Sequence, residues 1–311
     1  MKKICFVSSC YNEELNIEEL YNRIQKQIQN FPQYQFEYIL LDNSSTDNTA
    51  QKLRELAKRD KNVKVILNAR NFGHIRSPYY GLLNVQADAA IYLASDLQDP
   101  PELIPALIKK WEEGYKIVLA QKNQSEEFFL FFLIRKLFYN LINSINDSGA
   151  KLIKNCTGFG LYDRRVIDVL RSLDDPYPYL RGIICEIGFK KAIIPFVQPT
   201  RKRGFSKNNF YTLYDIAMLG IVKHSKVPLR VMIFFGLITA FLSFLTSCFY
   251  LFYKLIYWDS FSLGMAPIII GFFFLFSVQF IFLGLLGEYI GAIWTRVDKK
   301  PLVVEDERLN F

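Results

Sequence analysis

Histidine is almost missing from this chain: 311 residues contain two, His74 and His224. A histidine-built metal cluster is thereby excluded. Cysteine is sparse and odd in number, with Cys5, Cys10, Cys156, Cys185 and Cys248 far apart and no C-x-x-C pair. Neither a disulfide framework nor a structural zinc site is expected, and the thiols suit a reducing compartment. Disorder is excluded by a 51% hydrophobic and 16% aromatic composition. Acidic residues fall short of basic ones, 30 against 38, for a net charge of +8. Such a balance suits an anionic partner: nucleic acid, a phosphorylated substrate or an anionic membrane surface. No nucleic-acid motif accompanies the charge, so nucleic acid is not an expected partner.

Charge is itself absent from two long runs, 23 positions from Val231 to Tyr253 and 28 from Ser260 to Gly287. As helices these reach roughly 35 and 42 Å, more than the ~30 Å hydrocarbon core of a bilayer. Buried core helices are the alternative, but two such runs in tandem are rare in a soluble domain. Lys254 to Asp259 suffices only for a tight hairpin, which puts both outer ends on one side. Those ends carry Lys223, Lys226 and Arg230 before the first run and Arg296, Lys299 and Lys300 after the second, against Lys254 alone in the hairpin. The positive-inside rule then makes the N-terminal 230 residues cytoplasmic. Met1-Lys2-Lys3 leads into Ile4–Val7, too short for a secretory signal. The basic clusters flanking the runs suit an anionic leaflet.

The first part alternates strand and helix. KICFVS at 3–8, FEYILL at 36–41, NVKVIL at 62–67, AAIYLA at 89–94 and YKIVLA at 115–120 read as buried strands. Between them, Asn16 and Glu19 have capping-box spacing ahead of Ile17, Leu20, Tyr21, Ile24 and Ile28. Thr46 to Arg59 reads as a helix with Leu53, Leu56 and Ala57 inward. Asp99-Pro100-Pro101-Glu102 opens another, with Asp99 as N-cap and Gly114 as terminator. The alternation predicts a mostly parallel sheet covered on both faces, with ligands outside the carboxyl ends of its strands. Polar clusters stand at those ends: Ser9 to Glu14, Asp42 to Asp47, Asn68 to Gly73 and Ser95 to Asp99. Singly, Thr46, Asp47 and Asp99 can be caps, and Asn71-Phe72-Gly73 a turn. Together they place carboxylates, amides and an arginine at one sheet edge.

YNEE at 11–14, DNSSTDNT at 42–49, RNFG at 70–73 and SDLQDPPE at 95–102 resemble, in that order, the family 2 glycosyltransferases of the GT-A fold. With the two apolar runs and LLGEYIG at 285–291, the chain is similar to the polyprenyl-phosphate branch, which includes dolichyl-phosphate mannose synthases and bactoprenol glucosyltransferases. The resemblance implies an α/β, Rossmann-like GT-A domain over residues 1–207 and a juxtamembrane amphipathic helix over 208–229. It further implies two membrane helices within 230–290 (about 231–253 and 261–287) and a cytoplasmic tail over 291–311. It implies inverting transfer of a sugar from a nucleotide-sugar, UDP-hexose before GDP-hexose, to undecaprenyl phosphate at the bacterial plasma membrane, by an enzyme that forms homo-oligomers, tetramers in the family.

Residue by residue, the resemblance puts Tyr11, Asn12 and Glu13 under the nucleotide, Asp42 on the nucleobase, and Asn71, Ser95 and Asp96 in the rest of the donor site. Asp96 and Gln98 match its Mg²⁺ or Mn²⁺ and diphosphate positions. Two departures are Ala94, where D-x-D has its first Asp, and Asn43, the second position of the usual DDGS run. On the acceptor side Phe128 to Ile145 reads as a helix, either core or interfacial, with Arg135 matching a family arginine that meets the lipid phosphate. Arg164, in TGFGLYDRR at 157–165, either joins the acceptor site or pairs with Asp163. RKRGFSK at 201–207 is either a solvated basic turn or a loop closing Arg203, Ser206 and Lys207 over the phosphates. Asp96, Arg135 and Arg203 are the catalytic candidates. His74 is either a turn residue or a phosphate contact, and His224 sits at the membrane interface. Three rival functions are a processive polysaccharide synthase, whose Q-x-x-R-W signature is missing, a non-catalytic membrane adaptor with a decayed site, and a nucleotidyltransferase, which would want a Gly- and Lys/Arg-rich loop where Tyr11-Asn12-Glu13-Glu14 stands.

Overall fold

Eight strands form one sheet in the order β7-β5-β6-β4-β1-β2-β3-β8. The computed structural model describes residues 1–124, 153–199, 218–219, 221–222, 227–257, 265–298 and 300–311. The strands are β1 (Lys2–Cys10), β2 (Tyr34–Asp42), β3 (Val63–Asn68), β4 (Ala89–Tyr92), β5 (Ile117–Gln124), β6 (Cys156–Asp163), β7 (Lys191–Val197) and β8 (Glu305–Leu309). The helices are α1 (Ile17–Ile28), α2 (Thr49–Arg59), α3 (Gly73–Leu83), α4 (Ile104–Glu112), α5 (Arg164–Ser172), α6 (Leu180–Glu186), α7 (Val227–Ile256) and α8 (Met265–Val297). Four of the seven ladders are parallel; β6 runs antiparallel to β4 and β5, and β8 antiparallel to β3.

The strands read as unbroken apolar runs because both faces are buried. Ile4 and Phe6 of β1, Tyr38 and Leu40 of β2 and Val63 and Val65 of β3 face one layer, with Leu20 and Ile24 of α1, Leu53 and Leu56 of α2 and Leu107 and Trp111 of α4. Cys5 and Val7, Ile39 and Leu41 face the other, with Tyr79 and Leu82 of α3, Val166 and Ile167 of α5 and Ile184 of α6. The connections through α1 and α2 cover the first face, and α3 crosses to the second to bring β4 beside β1. That reversal makes a switch point between β1 and β4, where the carboxyl ends splay into a crevice. Helix α3 has no counterpart in the sequence reading, since Gly73, Pro78 and Gly81 interrupt its pattern. Gly81 is required: a Cβ there would lie 2.5 Å from Leu41 Cδ1 and 2.7 Å from Val7 Cγ1.

Two expected caps do not form. Asn16 precedes α1 but makes no cap bond, its amide donating instead to Glu13 Oε2 at 2.5 Å. Asp99 turns back into its own loop, and the chain enters α4 through a 3₁₀ turn, Pro101–Leu103. The last strand comes from within the expected tail. Glu305–Leu309 covers the free edge of β3, anchored by Arg54 to Glu307 (2.6 Å), Tyr80 to Glu305 (2.9 Å) and Asn310 to the carbonyls of Ala57 and Val63.

Helices α7 and α8, roughly 45 and 50 Å long, carry most of the exposed large apolar side chains, among them Phe234, Leu237, Phe241, Phe274, Phe280 and Ile281. Among the described residues one stretch is long and apolar enough to cross a bilayer, Phe274–Val297; on α7 the apolar stretch is the shorter Val227–Thr239. The former runs past the expected Gly287 and takes in Glu288 and Arg296. Of the helix expected over 208–229, residues 218–219, 221–222 and 227–229 are described, all helical. Helix 128–145, loop 201–207 and His224 lie outside the described residues.

Candidate active site

Three loops leave the sheet at the switch point, each with a non-glycine residue in the left-handed region: Asn12 (φ 57°) after β1, Ser44 (φ 60°) after β2 and Leu97 (φ 62°) after β4. Such backbone is held only where its surroundings over-determine it, and it gathers at functional sites. The first two loops are laced together. Asn12 N–H donates to Ser45 Oγ (2.9 Å) and Thr46 N–H to Asn12 Oδ1 (2.8 Å). Glu13 N–H donates to Thr49 Oγ1 (2.8 Å), and Asp47 accepts from the backbone N–H and hydroxyl of Thr49. These ties delay the start of α2 from the expected Thr46 to Thr49.

Asp42, at the end of β2, is buried. One carboxylate oxygen accepts from Ser45 N–H at 3.0 Å; the other, Oδ1, is buried with no hydrogen-bond partner among the described residues. A buried, unpaired carboxylate oxygen is costly to hold and is the natural acceptor for a ligand N–H.

Asn43 shows why an amide stands there. Its Oδ1 accepts from Phe72 N–H (2.8 Å) and Asn68 Nδ2 (3.0 Å), while its Nδ2 donates to Asn71 Oδ1 (2.9 Å) and Gly73 O (3.2 Å). The orientation of Asn71 is fixed because its Oδ1 also accepts from Gly73 N–H. A carboxylate at 43 has nothing to donate. The lattice continues through Asn68 to Ser77, Ser77 to Ser9, and Ser95 Oγ to Ser9 O (3.0 Å), tying four strand ends together.

After β4, Asp96 Oδ1 accepts from Gln98 N–H (3.1 Å) and Asp99 Oδ2 from Ala94 N–H (3.0 Å). The loop thus brings a second carboxylate beside Asp96 although position 94 has none. Asp99 is buried, and burial pushes its carboxyl up to about 6, the Asp96 charge adding to the rise against the Ala94 N–H, Lys122 and Arg181. Asp96 is half-buried. One accessible carboxylate beside a polar loop suits Mg²⁺ or Mn²⁺ that keeps most of its ligands as phosphate oxygens and water. His74, at the start of α3, is held neutral at pH 7 by burial and by the neighbouring Arg181.

A family model described as "Glycosyl transferase family 2" matches residues 5–170, the segment from β1 through the end of α5 but two residues. This chain belongs to glycosyl transferase family 2. Among curated relatives of this glycosyltransferase, the uncharacterised glycosyltransferase YkcC of Bacillus subtilis is 32% identical over 94% of this chain and 90% of its own. A prophage-derived bactoprenol glucosyl transferase of Shigella flexneri is 33% identical over 96% of each chain. Among solved structures, mannosyl-3-phosphoglycerate synthase from Rubrobacter xylanophilus aligns over 71% of this chain and 72% of its own, at 15% identity and a TM-score of 0.48.

The fold of the glycosyltransferase gathers Tyr11, Asn12, Glu13, Asp42, Asn71, Ser95, Asp96 and Gln98 at one end of the sheet. It does not bring Arg164 there. Because β6 runs antiparallel to β4, its carboxyl end lies beside Ala89 and Ile4, about 20 Å along β1 from Cys10. Arg164 is half-exposed at that far edge and pairs with Asp168 (2.9 Å), whereas Asp163 caps α5 and accepts from Trp111 and Lys116. Arg164 thus pairs with Asp168 in place of the expected Asp163, and it stands apart from the donor-side loops. Arg135, Arg203, Ser206 and Lys207 lie outside the described residues. Arg181 of α6 is a charged neighbour of the site that the sequence reading missed. It arrives from a later helix, with no strand-end position to mark it.

Proposed function

We propose that this transferase moves a hexose from a nucleoside-diphosphate sugar, UDP-hexose first, to undecaprenyl phosphate at the cytoplasmic face of a bacterial plasma membrane. The buried, unpaired Oδ1 of Asp42 carries the donor half: beside the β1–β4 crevice it is an acceptor awaiting a nucleobase N–H. Support for the acceptor half comes from the bactoprenol relatives together with α7 and α8, whose exposed apolar side chains need a lipid environment.

Both helices span the membrane as a hairpin. Seven residues, 298–304, separate α8 from β8 and reach at most ~25 Å. The end of α8 is thereby held on the side of the sheet domain, where α7 also begins. Basic residues flank that side, as the positive-inside rule requires.

In the reaction, an oxygen of the lipid phosphate bonds to the anomeric carbon as the bond from that carbon to the diphosphate oxygen breaks. The electron pair leaves with the nucleoside diphosphate, and configuration inverts. A phosphate monoester is mostly dianionic near pH 7, so positioning matters more than a base, in keeping with a neutral His74. Asn12, Glu13 and Asp42 seat the nucleotide, and the Asn43 lattice fixes the crevice floor. Asp96, with Gln98, would hold a divalent cation, which when bound screens charge on the departing diphosphate. Arg203 and Lys207 of loop 201–207 and Arg135 supply further cations, Ser206 adds a hydroxyl donor, and a homo-oligomer is the working assembly.

The test is transfer in membranes carrying the chain, supplied with undecaprenyl phosphate and labelled UDP- or GDP-sugars, with Mg²⁺ or EDTA, beside Asp96→Ala. Label entering the lipid fraction only with intact Asp96 is expected. Nucleotide binding without transfer from any donor refutes the reaction, and absence of both favours the adaptor reading.

A further inference from the structure

Phosphate recognition requires a cation beside the crevice, and Arg164 is committed at the opposite edge. Arg181 is placed for the task. It is half-buried at the second position of α6 and lines a cavity of 80 Å³ with His74, Tyr92, Thr157 and Tyr179. Tyr92 is the last residue of β4, four positions before Asp96, so this cavity opens at the switch point. Its volume is several times what one water needs. Among the described residues Arg181 makes no ion pair and no side-chain hydrogen bond. Its charge is felt by Asp99, Tyr92, His74 and Cys156. A half-buried guanidinium with five donors and no acceptor among the described residues is unusual, since such groups are ordinarily paired.

The same helix borders a second, different space. Ile183 of α6 and Ile187 just after it line a cavity of 570 Å³ whose apolar walls include Leu219 and Ile293, with Asp175, Glu186 and Arg296 also on its lining. It lies between the sheet domain and the last turns of α8. Helix α6 is about 10 Å long. A small cavity, mostly apolar in lining but holding the Arg181 guanidinium and the Thr157 hydroxyl, and a larger, mostly apolar cavity against α8 therefore lie within one short helix of each other. That pairing fits an amphiphile with a phosphate head and a long hydrocarbon tail.

We propose that Arg181 binds the acceptor phosphate: its guanidinium holds the phosphate of a polyprenyl phosphate in the cavity shared with His74 and Thr157, and the proximal isoprenoid units lie in the larger cavity between α6 and α8. This rests on the lipid-phosphate reading of the reaction. Arginine suits the role because its planar fork meets two phosphate oxygens and stays charged at any relevant pH. Thr157 adds a hydroxyl donor, and neutral His74 donates one ring N–H. The other anion that enters the crevice is the diphosphate of the donor, and the experiment separates the two.

Full-length chain in detergent is titrated calorimetrically with UDP and, separately, with a short-chain soluble prenyl phosphate. Initial rates are then measured against undecaprenyl phosphate. Arg181→Gln is expected to weaken prenyl-phosphate binding and raise the acceptor KM roughly 10- to 100-fold, the worth of charge-assisted bonds to phosphate. UDP affinity and the thermal midpoint should hold, and Arg181→Lys should recover part of the loss. Thr157→Val, in the same cavity, should weaken the same ligand several-fold and stands in should Arg181→Gln not fold. Unchanged prenyl-phosphate binding in a folded Arg181→Gln overturns the proposal, and so does a loss confined to UDP, which would give Arg181 to the donor diphosphate. Prenyl-phosphate binding that depends on Arg181 in a wild type that transfers no sugar upholds the subsite and refutes the transfer reading alone.

Discussion

Asp42→Asn keeps the shape of the buried side chain at the end of β2 and changes only what its outer atom can do. In the native chain Oδ2 accepts from Ser45 N–H at 3.0 Å and Oδ1 is buried and unpaired. The amide oxygen can keep the Ser45 bond, which leaves an NH₂ group where the free oxygen stood. A nucleobase N–H approaching that atom loses a charge-assisted hydrogen bond, about 1.5–3 kcal/mol, and meets a donor instead. Nucleotide affinity should therefore fall roughly 10- to 100-fold, toward the upper end because of the donor–donor contact. Stability should not fall with it, because an unpaired buried carboxylate gives way to a neutral group. Calorimetric titration with UDP and GDP, beside a thermal melt, reads both quantities. Equal affinity for both nucleotides in wild type and variant, with folding intact, would refute the assignment of Asp42 to the base. A matched loss of stability and affinity would show instead that the carboxylate serves the loop and not the ligand.

Other substitutions test the rest of the site. Asn43→Asp removes two donations and sets a carboxylate against Asn71 Oδ1 and Gly73 O, so it should cost about 2–4 kcal/mol; a thermal midpoint at or above wild type would refute the amide lattice. Asp99 has a folded value near 6, above its unfolded range, so its folded state binds protons more readily. Stability from this group rises as pH falls from about 6 to about 4, and its ionised form costs about 3 kcal/mol above that window. Asp99→Asn should accordingly melt higher than wild type at pH 7.5, with the gap closing at pH 4.5; a gap independent of pH would count against it. Arg164→Ala, at the far edge, should leave transfer within twofold of wild type and shift stability by no more than about 1 kcal/mol; a large loss of transfer would restore it to the acceptor site.

The central strands are legible in the sequence because burial on both faces leaves continuous apolar runs, and the polar residues that break those runs are the site loops. What stays hidden depends on tertiary structure. Helix α3 contains Pro78 and Gly81, and its packing on Leu41 and Val7 overrides the local propensity. Strand β8, EDERL, reads as a charged tail, and its charges become legible only once Arg54 and Tyr80 are placed opposite them. Arg164 is hidden for a topological reason: the strand that precedes it, β6, runs antiparallel to β4 and so delivers it to the edge away from the site loops. Asp99 has the sequence of a cap, yet the Ala94 N–H claims its carboxylate.

The strand that closes the β3 edge is made after both long helices, and the Arg54–Glu307 pair joins residues 253 positions apart. Until it arrives, β3 presents an unpaired edge, the kind of surface that templates aggregation. The catalytic domain is therefore encoded first and completed last: its sheet stays open while the two long apolar helices are being synthesised. A fusion at the carboxyl end or a short deletion there would act on β3, and a defect far from the crevice in sequence would appear as misassembly of the half of the sheet that carries Asp42.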